Sequence, residues 1–89
     1  MNLLFITDPL HGFKLDKDSS LAMMRQAQQR GHAIWVCGTP DLQWQQGERV
    51  SALMQRLQLK DHAHGWYHIE ETSAKLLSEM DAVLMRKDP

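Results

Sequence analysis

Residues Leu3-Leu4-Phe5-Ile6-Thr7 form an unbroken apolar or β-branched run with no alternation. A strand with one wet face alternates apolar and polar side chains, whereas a strand covered on both faces does not. This run therefore predicts a central strand in a parallel sheet, with other elements packed on both sides. Asp8-Pro9 ends it, because proline supplies no N–H for a strand ladder.

The following segments fit that frame. Leu10 to Lys17 reads as a loop, long enough to suggest a functional role. Asp18 or Ser19 can cap a helix running from Ser20 to about Arg30, with Leu21, Met24 and Ala27, and Met23 alongside, as an apolar stripe. Gly31 supplies the stop. Ala33 to Cys37 is a second short apolar strand, so strand, helix and strand make a parallel βαβ unit with the usual right-handed crossover.

Leu42 to Trp44 and Val50 to Leu53 flank Gln45-Gln46-Gly47-Glu48 and read as an antiparallel hairpin excursion. Arg56 to Lys60 extends this ribbon, and Trp66 to Ile69 can pair with it. Thr72 or Ser73 is expected to start a short helix carrying Leu76, Leu77 and Met80. A third parallel strand, Ala82 to Met85, then ends at Arg86. Eighty-nine residues without a repeat or an internal linker make one domain spanning 1–89.

Charge excludes several roles. Ten Lys+Arg against eleven Asp+Glu give a formal charge of -1, too weak a field to gather nucleic acid or anionic lipid. The start has no basic n-region and no run is long enough to span a bilayer, so a cytosolic protein is expected. Cys37 is the single cysteine, which rules out an internal disulfide and reads as a small buried hydrophobe in a strand.

In open α/β sheets ligands collect beyond the carboxyl ends of the parallel strands, which here carry Asp8-Pro9, Cys37-Gly38-Thr39 and Arg86-Lys87-Asp88. Arg86 offers a planar fork of donors for a carboxylate or phosphate, and Lys87 adds a second positive charge. A charged strand end facing water is the competing account. Lys17-Asp18-Ser19-Ser20 can present hydroxyls and helix amides to an anion, although an ordinary N-cap explains the same residues.

Other constellations carry less. No glycine-rich phosphate loop of either common spacing occurs. His62, His64 and His68 lack a Cys pair or an H-E-x-x-H partner and read as surface or loop residues rather than metal ligands. Trp35, Trp44 and Trp66 read as core or interface anchors. A phospho-receiver domain is excluded, because Asp8 is followed by proline and the third parallel strand ends in Arg86 where an aspartate is needed.

Four stretches at matching separations carry a resemblance: Asp8-Pro9, Lys17 to Met23, Ala27 to His32 and Met85-Arg86-Lys87-Asp88-Pro89. Together they resemble the amino-terminal domain of prokaryotic glutathione synthetase, across essentially the whole chain. The resemblance implies a Rossmann-like (pre-ATP-grasp) three-layer α/β domain with a mainly parallel sheet and an antiparallel hairpin excursion. It further implies a homo-oligomeric ATP-grasp ligase that joins γ-glutamylcysteine to glycine, the peptide carboxylate being activated as an acyl phosphate. ATP and Mg are then expected to be bound elsewhere in the full-length enzyme, with none held by this chain alone and no catalytic residue within it. By position, Arg86 becomes the candidate for holding a substrate carboxylate, with Lys87, Asp8 and Ser19 as further substrate-side residues. The alternative is a stand-alone α/β binding module or an inactive relic without ligase activity.

Overall fold

The computed structural model describes residues 1–10, 19–45, 49–60 and 65–86. Strand β1 (Asn2–Ile6) lies between two parallel neighbours, β2 (Ala33–Cys37) and β6 (Ala82–Met85). Its side chains point alternately into two cores, which is why the run has no polar phase. Phe5 joins Ile34 and Val36 on one face, while Leu4 and Ile6 join Trp35 and Cys37 on the other.

Helix α1 (Ser19–Gln29) covers the first face with Leu21 and Met24, both essentially buried, and Ala27 packs beside them. Met23, expected on the stripe, is partly exposed. The helix closes on Gly31, whose φ of 87° only glycine adopts without cost. Gly31 N–H donates to Gln28 O at 2.9 Å and His32 N–H to Ala27 O at 3.1 Å. This pair of bonds is the glycine stop that satisfies the last helical carbonyls.

After a 3-10 turn at Thr39–Asp41, β3 (Leu42–Gln45) and β4 (Arg49–Leu59) pair antiparallel, Leu42 opposite Ala52 and Trp44 opposite Val50. The expected hairpin is present, though its turn at 46–48 lies outside the described residues. β4 then pairs antiparallel with β2 through residues 55–57 and with β5 (Tyr67–Leu76) through Ser51–Leu59. Since the β5 register overlaps those of both β3 and β2, β5 occupies one edge of β4 and the other two share the opposite edge.

Two expectations are corrected. The sheet is mixed rather than mainly parallel: β1 makes both parallel pairings, and the three pairings of β4 are antiparallel. The helix expected from Thr72 or Ser73 is strand, because the long β4 presents a free edge and Gln55 and Met54 pair with those two residues. Backbone pairing overrides the helical spacing of Leu76, Leu77 and Met80. Leu77 and Met80 still reach the core, from a 3-10 turn at Leu77–Glu79. Together with Lys75, whose ammonium lies 5.4 Å from the Trp35 ring centre, they cover the face opposite α1. The described residues thus hold one helical layer, and the second helical layer of a three-layer arrangement is not among them. None of the described helices is long and apolar enough to cross a membrane.

Candidate functional site

The carboxyl ends of β2, β1 and β6 stand side by side, with β1 in the middle. Hydrogen bonds carry this register past the strands. Thr7 N–H donates to Cys37 O at 2.9 Å, and Arg86 N–H donates to Ile6 O at 2.8 Å. Asp8, Gly38 and Arg86 therefore emerge at one edge of the sheet, the place where open α/β folds collect ligands.

On the β2 side, the strand end opens into a cavity of about 500 Å³ lined by Asp8, Cys37, Thr39, Asp41, Gln55 and Thr72, among others. Asp41 shapes its rim: Gly38 N–H donates to Asp41 Oδ2 at 2.8 Å, and Asp41 N–H returns to Gly38 O at 3.0 Å. Burial, and secondly the Asp41 charge, push the Cys37 thiol from 9.0 up to about 11. It contributes a neutral, unreactive wall, in keeping with the sequence reading.

On the β6 side, Arg86 Nε–H donates to Ser20 Oγ at 3.2 Å, and Ser20 is only 6% exposed. Arg86 is outside the cavity lining, so the strand ends carry an acid-bearing hollow on one flank of β1 and a guanidinium on the other. Neighbouring strands lie about 4.8 Å apart. The arrangement offers a carboxylate and a guanidinium on adjacent strand ends, suited to a small polar ligand with groups of both signs.

The residues named from sequence divide accordingly. Asp8 and Arg86 come to the same edge. Ser19 opens α1 as its first residue rather than preceding it as a cap; Lys87 lies outside the described residues, as do Lys17, Asp18 and Asp88. The sequence reading named Ser20 as a hydroxyl open to an anion but missed its bond to Arg86, 66 positions away, and missed the cavity residues Gln55 and Thr72, which β4 and β5 bring in from the ribbon. Only knowledge of the β4–β5 register would have pointed to them.

His62 and His64 also lie outside the described residues, and His68 is exposed on β5. Among the described residues no three His, Cys, Asp or Glu side chains are grouped to hold a metal ion. Trp35 and Trp66 are buried as expected of core anchors, whereas Trp44 is 77% exposed on β3.

Comparison with known proteins adds a second line of observation. Residues 1–89 match the family model for the prokaryotic glutathione synthetase N-terminal domain. The chain is 45% identical to the glutathione synthetase of Ralstonia nicotianae over 89 residues, covering 100% of this chain and 27% of that protein. It is 42% identical to the glutathione synthetase of Vibrio parahaemolyticus, covering 100% and 28%, and 38% identical to that of Gloeobacter violaceus, covering 100% and 27%. The chain thus spans little more than a quarter of the length of these relatives.

Proposed function

The chain belongs to the family of prokaryotic glutathione synthetase N-terminal domains, and from that premise we propose that it forms one wall of the peptide-substrate site of a cytosolic, homo-oligomeric, ATP-dependent ligase joining γ-glutamylcysteine to glycine. The observation that carries the reading is Arg86, at the end of a parallel strand beside β1, with its guanidinium hydrogen-bonded to a buried hydroxyl. In this reading Arg86 holds a carboxylate of γ-glutamylcysteine. The hollow beside Asp8 takes another part of the peptide, and Ser19 and Lys87 enter the reading through the family resemblance alone.

ATP supplies the phosphoryl group that activates the peptide carboxylate. The sequence has no glycine-rich phosphate loop, and the described residues include no group of three metal-ligating side chains. By family resemblance, the reading assigns ATP and magnesium to residues outside this chain and gives the chain a binding role without a catalytic residue.

Two measurements test it. The 89-residue chain, purified alone, is expected to show no ATP-dependent ligation of glycine to γ-glutamylcysteine, and turnover by it would overturn the binding-wall role. In the full-length ligase, Arg86→Ala is expected to raise the KM for γ-glutamylcysteine by an amount equivalent to about 1.5–3 kcal/mol, the contribution of a hydrogen bond to a charged group. Unchanged kinetics would remove Arg86 from the site.

A further inference from the structure

We propose that Ser20 is the positioning residue of Arg86, an inference that rests on the reading of Arg86 as the group that holds the substrate carboxylate. An arginine side chain is long and rotamer-rich, so its fork recognises a carboxylate well only when its plane is held before the ligand arrives. Here hydrogen bonds restrain it at both its backbone and its guanidinium. The backbone N–H of Arg86 is tied to Ile6 O at 2.8 Å, fixing where the side chain starts. Further out, Nε–H is tied to Ser20 Oγ at 3.2 Å, which narrows the orientations open to the guanidinium.

The anchor itself is rigid. Ser20 is 6% exposed, and the next residue, Leu21, is buried in the core beneath α1 at 1% exposure. The hydroxyl is thus carried by a packed helix, which holds its Cβ in place against the sheet and leaves χ1 as the remaining freedom of Oγ. Ser20 acts on the substrate through Arg86 and has no role in bond making.

A double-mutant cycle with a spectroscopic control tests the assignment. In the 89-residue chain, the ¹⁵N-detected Nε–H signal of Arg86 is expected to be protected from exchange with water, to lose that protection in Ser20→Ala and to keep it in Ser20→Thr. In the full-length ligase, Ser20→Ala is expected to raise the KM for γ-glutamylcysteine about tenfold, the size of one hydrogen bond to a charged group. The kcat should change much less, and Ser20→Thr should restore the KM. In an Arg86→Lys background, where no Nε–H exists, Ser20→Ala should add less than about a twofold effect.

A silent Ser20→Ala beside a clear Arg86→Ala effect would overturn the positioning role alone. So would an equally large Ser20→Ala loss in the Arg86→Lys background, since that would mark a general structural defect. A silent Arg86→Ala would instead sink the reading of Arg86 on which the proposal stands.

Discussion

Cys37 shows how one residue's surroundings set its chemistry. Its pKa of about 11 lies above the ordinary 9.0 because burial, and then the Asp41 carboxylate, disfavour the thiolate. Between those two pH values the unfolded chain loses a proton that the folded chain keeps. The stabilisation is complete below about pH 9 and is lost as pH rises toward 11. Urea unfolding at about pH 8 and about pH 10.5 should therefore show a larger loss of stability in the native sequence than in Cys37→Ala. Equal losses would refute the assignment. The thiol should also label slowly with iodoacetamide at about pH 8 in the folded chain and rapidly in urea. That Cys37 is buried and inert was legible from its place in an apolar strand. The bond between Ser20 and Arg86 was not, because a contact across 66 positions leaves no mark in either local sequence.

Among the elements, α1 and β4 are joined by one side chain. Gln28 Nε2 donates to Leu59 O at 3.2 Å, and Leu59 N–H donates to Gln28 Oε1 at 2.7 Å. The amide thereby imitates a further stretch of β2, whose pairing with β4 stops at residue 57. Gln28→Ala should leave both backbone groups short of these partners and cost about 1–3 kcal/mol in urea unfolding, with Gln28→Glu in between. By contrast, Glu70→Ala should cost well under about 1 kcal/mol, since its 3.7 Å ion pair with Arg56 is exposed. Both parallel neighbours of β1, the helix between β1 and β2, and the hairpin could be read from the sequence, because each rests on local periodicity or a glycine stop. The strand at Thr72 and Ser73 could not. Its conformation follows from a partner strand, and the same residues have helical spacing when read alone.

For the molecule as a whole, the sequence disclosed the edge where Asp8 and Arg86 meet, through the rule that parallel strands deliver their ligands at one end. It did not disclose the cavity wall from β4 and β5, which depends on a register set across the sheet. Val83 and Met85 stand beside Leu4 and Ile6 in the ladder yet are 41% and 61% exposed, so the described residues leave one face of β6 open. The placement of β1 between β2 and β6 also governs how the chain can be made. Its second neighbour begins at Ala82, and Asn2 N–H meets the Asp81 carboxylate at 2.6 Å, 79 positions later. A topology so rich in distant pairings should refold in about milliseconds to seconds, and stopped-flow tryptophan fluorescence showing a complete microsecond phase would contradict this. On the ribosome, at about 5–20 residues per second, β1 is synthesised roughly 4–16 s before β6 is complete. During that interval the buried central strand has at most one of its two neighbours, and the nascent chain is then most in need of a chaperone's cover.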